Sequence, residues 1–195
     1  MPPARTWCRF LARVRRGIFV ASFVFCLAHV LVPRIAAGQE ESVDEYKLKA
    51  AMLYNLTNFV EWPDSAYPDR QAPIVLCILG QDPFATSLVS TIPKETDNGR
   101  PMVMRHLQSD KETRGCHILY ISSSERKTAE HVFSTLNGSS TLTVGEMTQF
   151  AARGGIIQFS MEDQHVRFDV NLEAASRAGL RISSKLLALA QIVNN

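Results

Sequence analysis

Pro73-Ile74-Val75-Leu76-Cys77-Ile78-Leu79 is an unbroken apolar run, closed by Gly80 and followed by Asp82-Pro83. A run this short with no polar alternation reads as a strand buried on both faces. Asp82 can cap the next helix, with Pro83 at its first position, where the missing N–H costs nothing. The same pattern returns in Cys116-His-Ile-Leu-Tyr-Ile121. There Ser122–Ser124 offers a cap for a helix over Glu125–Leu136, and Asn137-Gly138 ends it. Buried strands that each lead into a helix define an α/β layered sheet, at least partly parallel.

Working outward, residues 44–61 read as a helix, with Leu48, Met52, Leu56 and Phe59 at helical spacing and Trp62-Pro63 as its stop. Asn98-Gly99 marks a turn before a strand at Met102–Leu107, and Thr141–Val144 reads as a third apolar strand. A short helix around Met147–Ala152 leads to Gly154-Gly155. Ile156–Met161 and Val166–Val170 then alternate around Glu162-Asp163-Gln164, which predicts a β-hairpin. The last predicted helix carries Leu180, Leu186, Leu187, Leu189, Ile192 and Val193, with Gly179 as a kink or a split. The expected architecture is a single layered α/β domain over residues 46–195. Its sheet is mixed and partly parallel, flanked by helices, with the antiparallel hairpin at one edge.

Residues 1–38 have a different composition. Arg5, Arg9, Arg13, Arg15 and Arg16 precede an apolar run from Ile18 to Val32, and Pro33-Arg34-Ile35-Ala36-Ala37-Gly38 closes the segment. The order of basic, apolar and small residues is that of a cleaved secretory signal, with the cut after Gly38. The apolar run is shorter than the ~20 residues that span a bilayer, so a retained anchor fits less well. Residues 39–45 are polar and acidic and are expected to form a flexible arm.

Loss of the segment removes six of the 21 Lys and Arg residues. The 15 that remain face 19 Asp and Glu, and the formal charge moves from +2 to −4. A mildly acidic chain without a basic run excludes nucleic acid as the expected partner. Cys77 and Cys116 remain after export, and an even pair in an oxidising compartment reads as a disulfide. The alternative is two buried free thiols, each on its own strand. A bridge would close a loop of about 40 residues, worth ~4 kcal/mol.

Catalytic patterns are sparse. Leu79-Gly80-Gln81-Asp82-Pro83 is a strand–turn–helix without the lysine and glycines of a phosphate loop. Ser122–Ser124 follows a buried strand but lacks a Gly-x-Ser-x-Gly elbow, so capping explains it better than nucleophilic chemistry. His106, His117, His131 and His165 make no metal-binding spacing and read as ordinary core or surface residues. Glu61, Asp64 and Asp69 offer paired acids or, more simply, a solvated loop. Trp62, Tyr67 and Pro68 beside them suggest an aromatic recognition patch, against the simpler reading of an aromatic packed on the core. Arg167 alternates with Val166 and Phe168 and so faces the opposite side of the sheet, with Asp169 as a pair or a ligand contact. Asn55-Leu-Thr57 and Asn137-Gly-Ser139 match the glycosylation pattern, which matters only in a eukaryotic secretory route. No cofactor and no metal site is expected.

Several stretches together resemble a known family: Lys49-Ala-Ala-Met-Leu-Tyr-Asn-Leu-Thr-Asn-Phe-Val-Glu-Trp-Pro63, Ile74–Gly80 with Asp82-Pro83-Phe84, and Gly115–Ile121. Leu142-Thr-Val-Gly145, Gly154-Gly-Ile-Ile-Gln-Phe159, Val166-Arg-Phe-Asp-Val-Asn171 and Leu180-Arg-Ile-Ser-Ser-Lys-Leu-Leu187 follow in order. The chain is similar to the YfiR family of periplasmic bacterial proteins from about Tyr46 to Val193. The resemblance implies a non-enzymatic repressor of an inner-membrane diguanylate cyclase, acting on the periplasmic portion of that enzyme and lowering cyclic di-GMP. It also implies sequestration by an outer-membrane lipoprotein and a homodimer. Cys77 and Cys116 match a bridged family pair, whereas a second pair found in some members near Leu142–Gly154 has no counterpart here. Phe59, Trp62, Tyr67, Arg167, Asn171, Ser183 and Ser184 are the candidate interface or ligand contacts. Two rival functions stand beside this one. The first is a periplasmic small-molecule-binding module, near Gly80 and Ser122, serving another partner such as a histidine kinase. The second is a hydrolase using Ser122–Ser124 or an acidic pair.

Overall fold

A computed structural model describes residues 37–84, 86–91, 99–163 and 165–193. Of the signal segment expected over residues 1–38, residues 1–36 lie outside the described residues. From Ser42 onward the chain forms one compact unit.

The first helix, α1, runs from Ala37 to Asn55, so residues 39–45, expected as an arm, lie within its span. Its end is earlier than predicted. Leu56–Asn58 tightens into a 3-10 turn, and Val60–Glu61 is a short strand, β1. The buried stripe within the helix also differs from the expected one. Lys49, Ala50 and Leu53 face the core, Met52 is half-buried, and Leu48, expected inside, is 45% exposed. The sequence period missed this because its inward residues include a lysine.

The strands β2 (Ile74–Leu79), β3 (Met102–Leu107), β4 (Ile118–Ile121) and β5 (Leu142–Gly145) follow the predicted runs. With β6 (Ile157–Glu162), β7 (His165–Asn171) and β9 (Gln191–Val193) they build a seven-stranded sheet in the order β3-β2-β4-β5-β6-β7-β9. The pairs from β3 to β6 are parallel, β6 and β7 form the antiparallel hairpin, and β9 adds outside it in parallel. The fold is a single α/β domain with a mixed sheet. Because β2 lies between β3 and β4, the chain leaves it on one side and returns on the other. The switch point is therefore between the carboxyl ends of β2 and β4.

Four further helical expectations are corrected. The helix expected to open with Pro83 begins only at Thr86, and Asp82 accepts the Phe84 N–H at 2.8 Å in a turn ahead of it. The helix expected over Glu125–Leu136 begins as a 3-10 turn, Ser123–Glu125, capped by the Ser122 side chain, and the α-helix α3 spans only Ala129–Thr135. (α2 is Thr86–Thr91.) No helix forms at Met147–Ala152. That segment is a series of turns with Gln149 at a positive φ of 61°, which interrupts helical winding. The long last helix is absent: α4 (Leu172–Arg177), β8 (Arg181–Ile182), α5 (Ser184–Leu187) and β9 replace it. Gly179, at a φ of 68°, ends α4 in the left-handed conformation that glycine supplies without steric cost. β8 then pairs with β1, and β9 with β7, so partners distant in sequence override local helical spacing.

The core has two layers. One face of the sheet buries Leu76, Ile78, Tyr120, Val144, Phe159 and Val170 with Ala50 and Leu53 of α1 and with Phe84 and Leu88. The other buries Leu79, Leu119 and Ile121 under Ala129 and Val132 of α3, with Met147 and Phe150. In that second layer the ring of Phe150 lies against two glycines. A Cβ on Gly145 would sit 2.6 Å from it and one on Gly155 only 2.2 Å. The Gly154-Gly155 pair therefore ends in a close approach to an aromatic ring.

Candidate functional site

The Cys77 and Cys116 sulfurs form a disulfide with a Cα–Cα separation of 5.8 Å. It ties β2 to the residue two places before β4, and both cysteines are buried. The alternative of two free thiols is thereby excluded.

The candidate contacts divide among three places. Phe59 and Ser183 come together because β1 pairs with β8: the Ser183 N–H donates to the Phe59 carbonyl at 2.8 Å, and Val60 lies opposite Ile182. Arg181 closes the pair outside with Glu61, Nη2 to Oε2 at 2.5 Å. Phe59 is half-buried against the main core, and Ser184 is exposed. Ser183 caps α5 by accepting from the Leu186 N–H. The stretch ending α1 and the stretch opening α5 thus form one continuous patch.

Trp62 and Tyr67 belong to a strap, residues 62–72, that crosses the amino-terminal end of β4. The Trp62 Nε1–H donates to the His117 carbonyl at 3.2 Å. Tyr67 stacks on the His117 imidazole with centroids 4.7 Å apart and planes 23° apart. The Arg100 guanidinium lies 3.8 Å from the centre of the Tyr67 ring and donates to the Ala72 carbonyl at 2.8 Å. His117 is 5% exposed, and its Nδ1 accepts the Val75 N–H at 3.1 Å, which makes it the neutral Nε2–H tautomer. Burial pushes its pKa below the usual histidine value, the Ala66 carbonyl opposes that, and Arg100 adds to the depression. Nε2 faces this carbonyl without reaching full hydrogen-bond geometry. Burial also raises the Tyr67 phenol, which Arg100 partly offsets.

Arg167 stands on the outer face of the hairpin, exposed, 3.5 Å from Glu162. Its neighbours there are Ser160, opposite it, and Gln158, Asp169 and Gln191 in adjoining register. All are exposed or half-exposed, so this part of the second face is polar and uncovered among the described residues. Arg167 and Asp169 are not an ion pair; partial burial raises the Asp169 pKa. Asn171 is different. It is fully buried, caps α4 by accepting the Ala174 N–H at 2.9 Å, and donates to the Ala151 carbonyl at 2.7 Å. Its role is to join three segments of the fold, and no partner can touch it.

At the switch point, the turn after β2 and the turn after β4 are in contact. The Gln81 N–H donates to Ser124 Oγ at 3.0 Å, and a Cβ on Gly80 would lie 2.3 Å from that oxygen. The crevice between β2 and β4 is shut. An open cleft of about 660 Å³ lies alongside, reaching His106, Gln108, Ser109 and Asp110. Its side chains already pair: His106 with Asp82 at 2.8 Å, and His131 near its rim with Asp110 at 3.3 Å. The three acids of the strap region have separate tasks. Glu61 meets Arg181, Asp64 opens a 3-10 turn, and Asp69 accepts from the Gln71 N–H.

One cluster had no signal in the sequence. Lys49, 3% exposed, bonds Glu146 Oε2 at 2.6 Å and also contacts Glu45. The Tyr46 hydroxyl donates to Glu146 Oε1 at 3.0 Å. Burial, then the Glu146 carboxylate, pushes the Tyr46 pKa up to about 12 and raises that of Tyr120 further. Tyr120 points its buried hydroxyl toward Glu146 without a well-formed hydrogen bond. The cluster fastens α1 to the carboxyl end of β5.

Fold and surface together define a disulfide-tied, doubly wound α/β domain in which the turns after β2 and β4 touch and the candidate contacts are divided among separate places. The chain belongs to the YfiR/HmsC-like family, whose profile matches residues 46–191. Members are periplasmic regulators of diguanylate cyclase signalling rather than enzymes. Among the described residues no helix is long and apolar enough to cross a membrane. A crystal structure of a conserved domain protein from Vibrio cholerae is similar at a TM-score of 0.51 and 12% identity, over 77% of this chain and 60% of that one. At that identity the likeness concerns the fold alone.

Proposed function

We propose that this chain is exported by residues 1–38, cleaved, and acts in the periplasm as a non-enzymatic repressor. It would bind the periplasmic portion of an inner-membrane diguanylate cyclase and thereby lower cyclic di-GMP. Family membership supports the general role. The observation that carries the binding reading is the uncovered polar face around Arg167, beside the central strands β4 and β5, which are buried on both faces. Binding represses only if the domain prefers the inactive arrangement of the enzyme. A homodimer, and release through an outer-membrane lipoprotein, belong to the same proposal.

The test is intracellular cyclic di-GMP in a clean deletion strain carrying no plasmid, the wild-type gene, or Arg167→Glu. The expected result is a rise on deletion that wild type reverses and the exported, folded variant does not. No rise on deletion, with the wild-type protein shown to be exported, refutes repression. Full reversal by Arg167→Glu refutes the polar face as the contact surface.

The open cleft beside Gly80 favours a second reading, a small-molecule-binding module. A ligand held there would raise the melting temperature in a metabolite panel. No shift across the panel would leave the cleft without that role.

A further inference from the structure

We propose that His117 is the latch of an acid-sensitive strap. Taking up a proton at its imidazole releases residues 62–72 from the amino-terminal end of the sheet and reshapes the surface that carries Trp62 and Tyr67.

The His117 side chain supplies one acceptor. Its Nδ1 lone pair holds the Val75 N–H at 3.1 Å. A proton on Nδ1 would place two donors face to face, so the imidazolium cannot keep this position. Nε2 has only the poorly aligned Ala66 carbonyl to meet it, and that carbonyl belongs to the strap itself. The ring is 5% exposed, so water cannot solvate the new charge in place.

The surrounding charges do not compensate. On the strap, Asp64, Asp69 and Arg70 are exposed, and Asp69 is engaged with the Gln71 N–H. On the β2 side the ring meets the Val75 backbone, and on the β5 side the Leu142 N–H bonds the His117 carbonyl. The charged group that acts on the imidazole is Arg100, a cation beyond the Tyr67 ring. The imidazolium therefore gains a like charge across the stack and no carboxylate. The cheapest relief is for the ring to leave the Val75 N–H, and the stack on Tyr67 leaves with it.

The sign follows from linkage. A histidine whose folded pKa is depressed stabilises the closed strap above its unfolded value of about 6.5, and that contribution is lost as pH falls toward the folded pKa. Release thus belongs to acid conditions below about pH 6.5.

The test uses the full chain with Trp7→Phe, which leaves Trp62 as the sole tryptophan. Trp62 emission is followed from pH 8 to 4.5 beside far-UV circular dichroism. The expected result is one emission transition with its midpoint below 6.5, without loss of secondary structure. His117→Gln should abolish it, and Arg100→Gln should move the midpoint upward. Should His117→Gln fail to fold, hydrogen exchange in the parent protein decides. Protection of the Val75 amide should fall at the same midpoint while that of Leu119 is kept. A transition that persists in His117→Gln, one that coincides with global unfolding, or a Val75 amide protected throughout would overturn the proposal. The test reads this protein alone, so its failure leaves the repressor reading untouched.

Discussion

Lys49→Met is the most informative single change in the core. Methionine preserves most of the apolar stem of the lysine, so what is lost is the cation. Lys49 is 3% exposed, and the side chain of Glu146 is 16% exposed. At 2.6 Å and an effective dielectric of about 20, the gross attraction is roughly 6 kcal/mol, much of it spent on desolvating both ions. Removing one partner leaves the largely buried Glu146 carboxylate with the Tyr46 hydroxyl as a donor. Orphaning a buried charge costs about 3–5 kcal/mol. We expect the lower end, because Glu45, the second carboxylate on the amine, is 27% exposed and can turn to water. A loss of about 3 kcal/mol corresponds to a fall of roughly 6–12 °C in melting temperature for a domain of this size. Urea denaturation of oxidised protein at neutral pH is the assay, with an unchanged m-value as the sign that two-state behaviour persists. Glu146→Gln and the double variant complete a cycle, with an expected coupling of about 1–3 kcal/mol. A single-variant cost below about 1 kcal/mol, or additivity within about 0.5 kcal/mol, would refute the view that this pair fastens α1 to the sheet.

Three further outcomes are expected. Gly155→Ala should cost about 1–3 kcal/mol, because its Cβ would meet the Phe150 ring at 2.2 Å; adding Phe150→Leu should recover part of that loss, and strict additivity would count against the clash. Cys77→Ser with Cys116→Ser removes a bridge spanning 39 positions and should lower unfolding free energy by ~4 kcal/mol in urea; an equally stable variant would show that the bridge does not limit stability. Tyr46, Tyr67 and Tyr120 have raised pKa values, so absorbance at 295 nm should show at least three of the four tyrosines ionising above the usual value of about 10 in native protein and returning to it in urea. Stability is unaffected by these phenols below pH 10 and falls above it, because the unfolded chain releases their protons first; native ionisation of all four near pH 10 would contradict the burial.

The parallel strands were legible because burial on both faces leaves a continuous apolar run, as in Ile74–Leu79 and Ile118–Ile121. Loss of legibility began where partners lie far apart. The leucines from Leu180 to Leu189 suit a helix, yet Arg181 and Ile182 are held as strand by Glu61 and Val60, and the Gln191 strand depends on β7. Local spacing carries no record of such pairings. Lys49 fails differently: its charge marks it as outward, and only the arrival of Glu146, 97 residues away, makes burial affordable. For the candidate contacts, alternation correctly turned Arg167 away from the core. Asn171 looked the same in the sequence, but the chain direction changes there and its amide becomes a buried cap. The strap cluster was invisible because Trp62, Tyr67, Arg100 and His117 come from three separate segments.

A doubly wound sheet ordinarily offers a ligand the crevice at its switch point. Here Ser124 accepts from the turn after β2, and Gly80 leaves no room between them. The carboxyl end of β5 is sealed by the Lys49–Glu146 pair and α1. The opposite end of the sheet is spanned by the strap on His117 and braced by the disulfide. The open space at the carboxyl end of β2 is the cleft beside Gly80, whose His106 and Asp110 side chains are already paired. Elsewhere the candidate contacts with exposed or half-exposed side chains lie on the hairpin face with Arg167, on the strap, and on the patch where β1 meets β8. The β1–β8 patch joins residues some 120 positions apart, whereas the Arg167 face rests on the local β6–β7 hairpin. Under the repressor proposal, a change at the β1–β8 pairing can therefore be tested separately from one on the hairpin, each read as loss of binding by protein that remains folded.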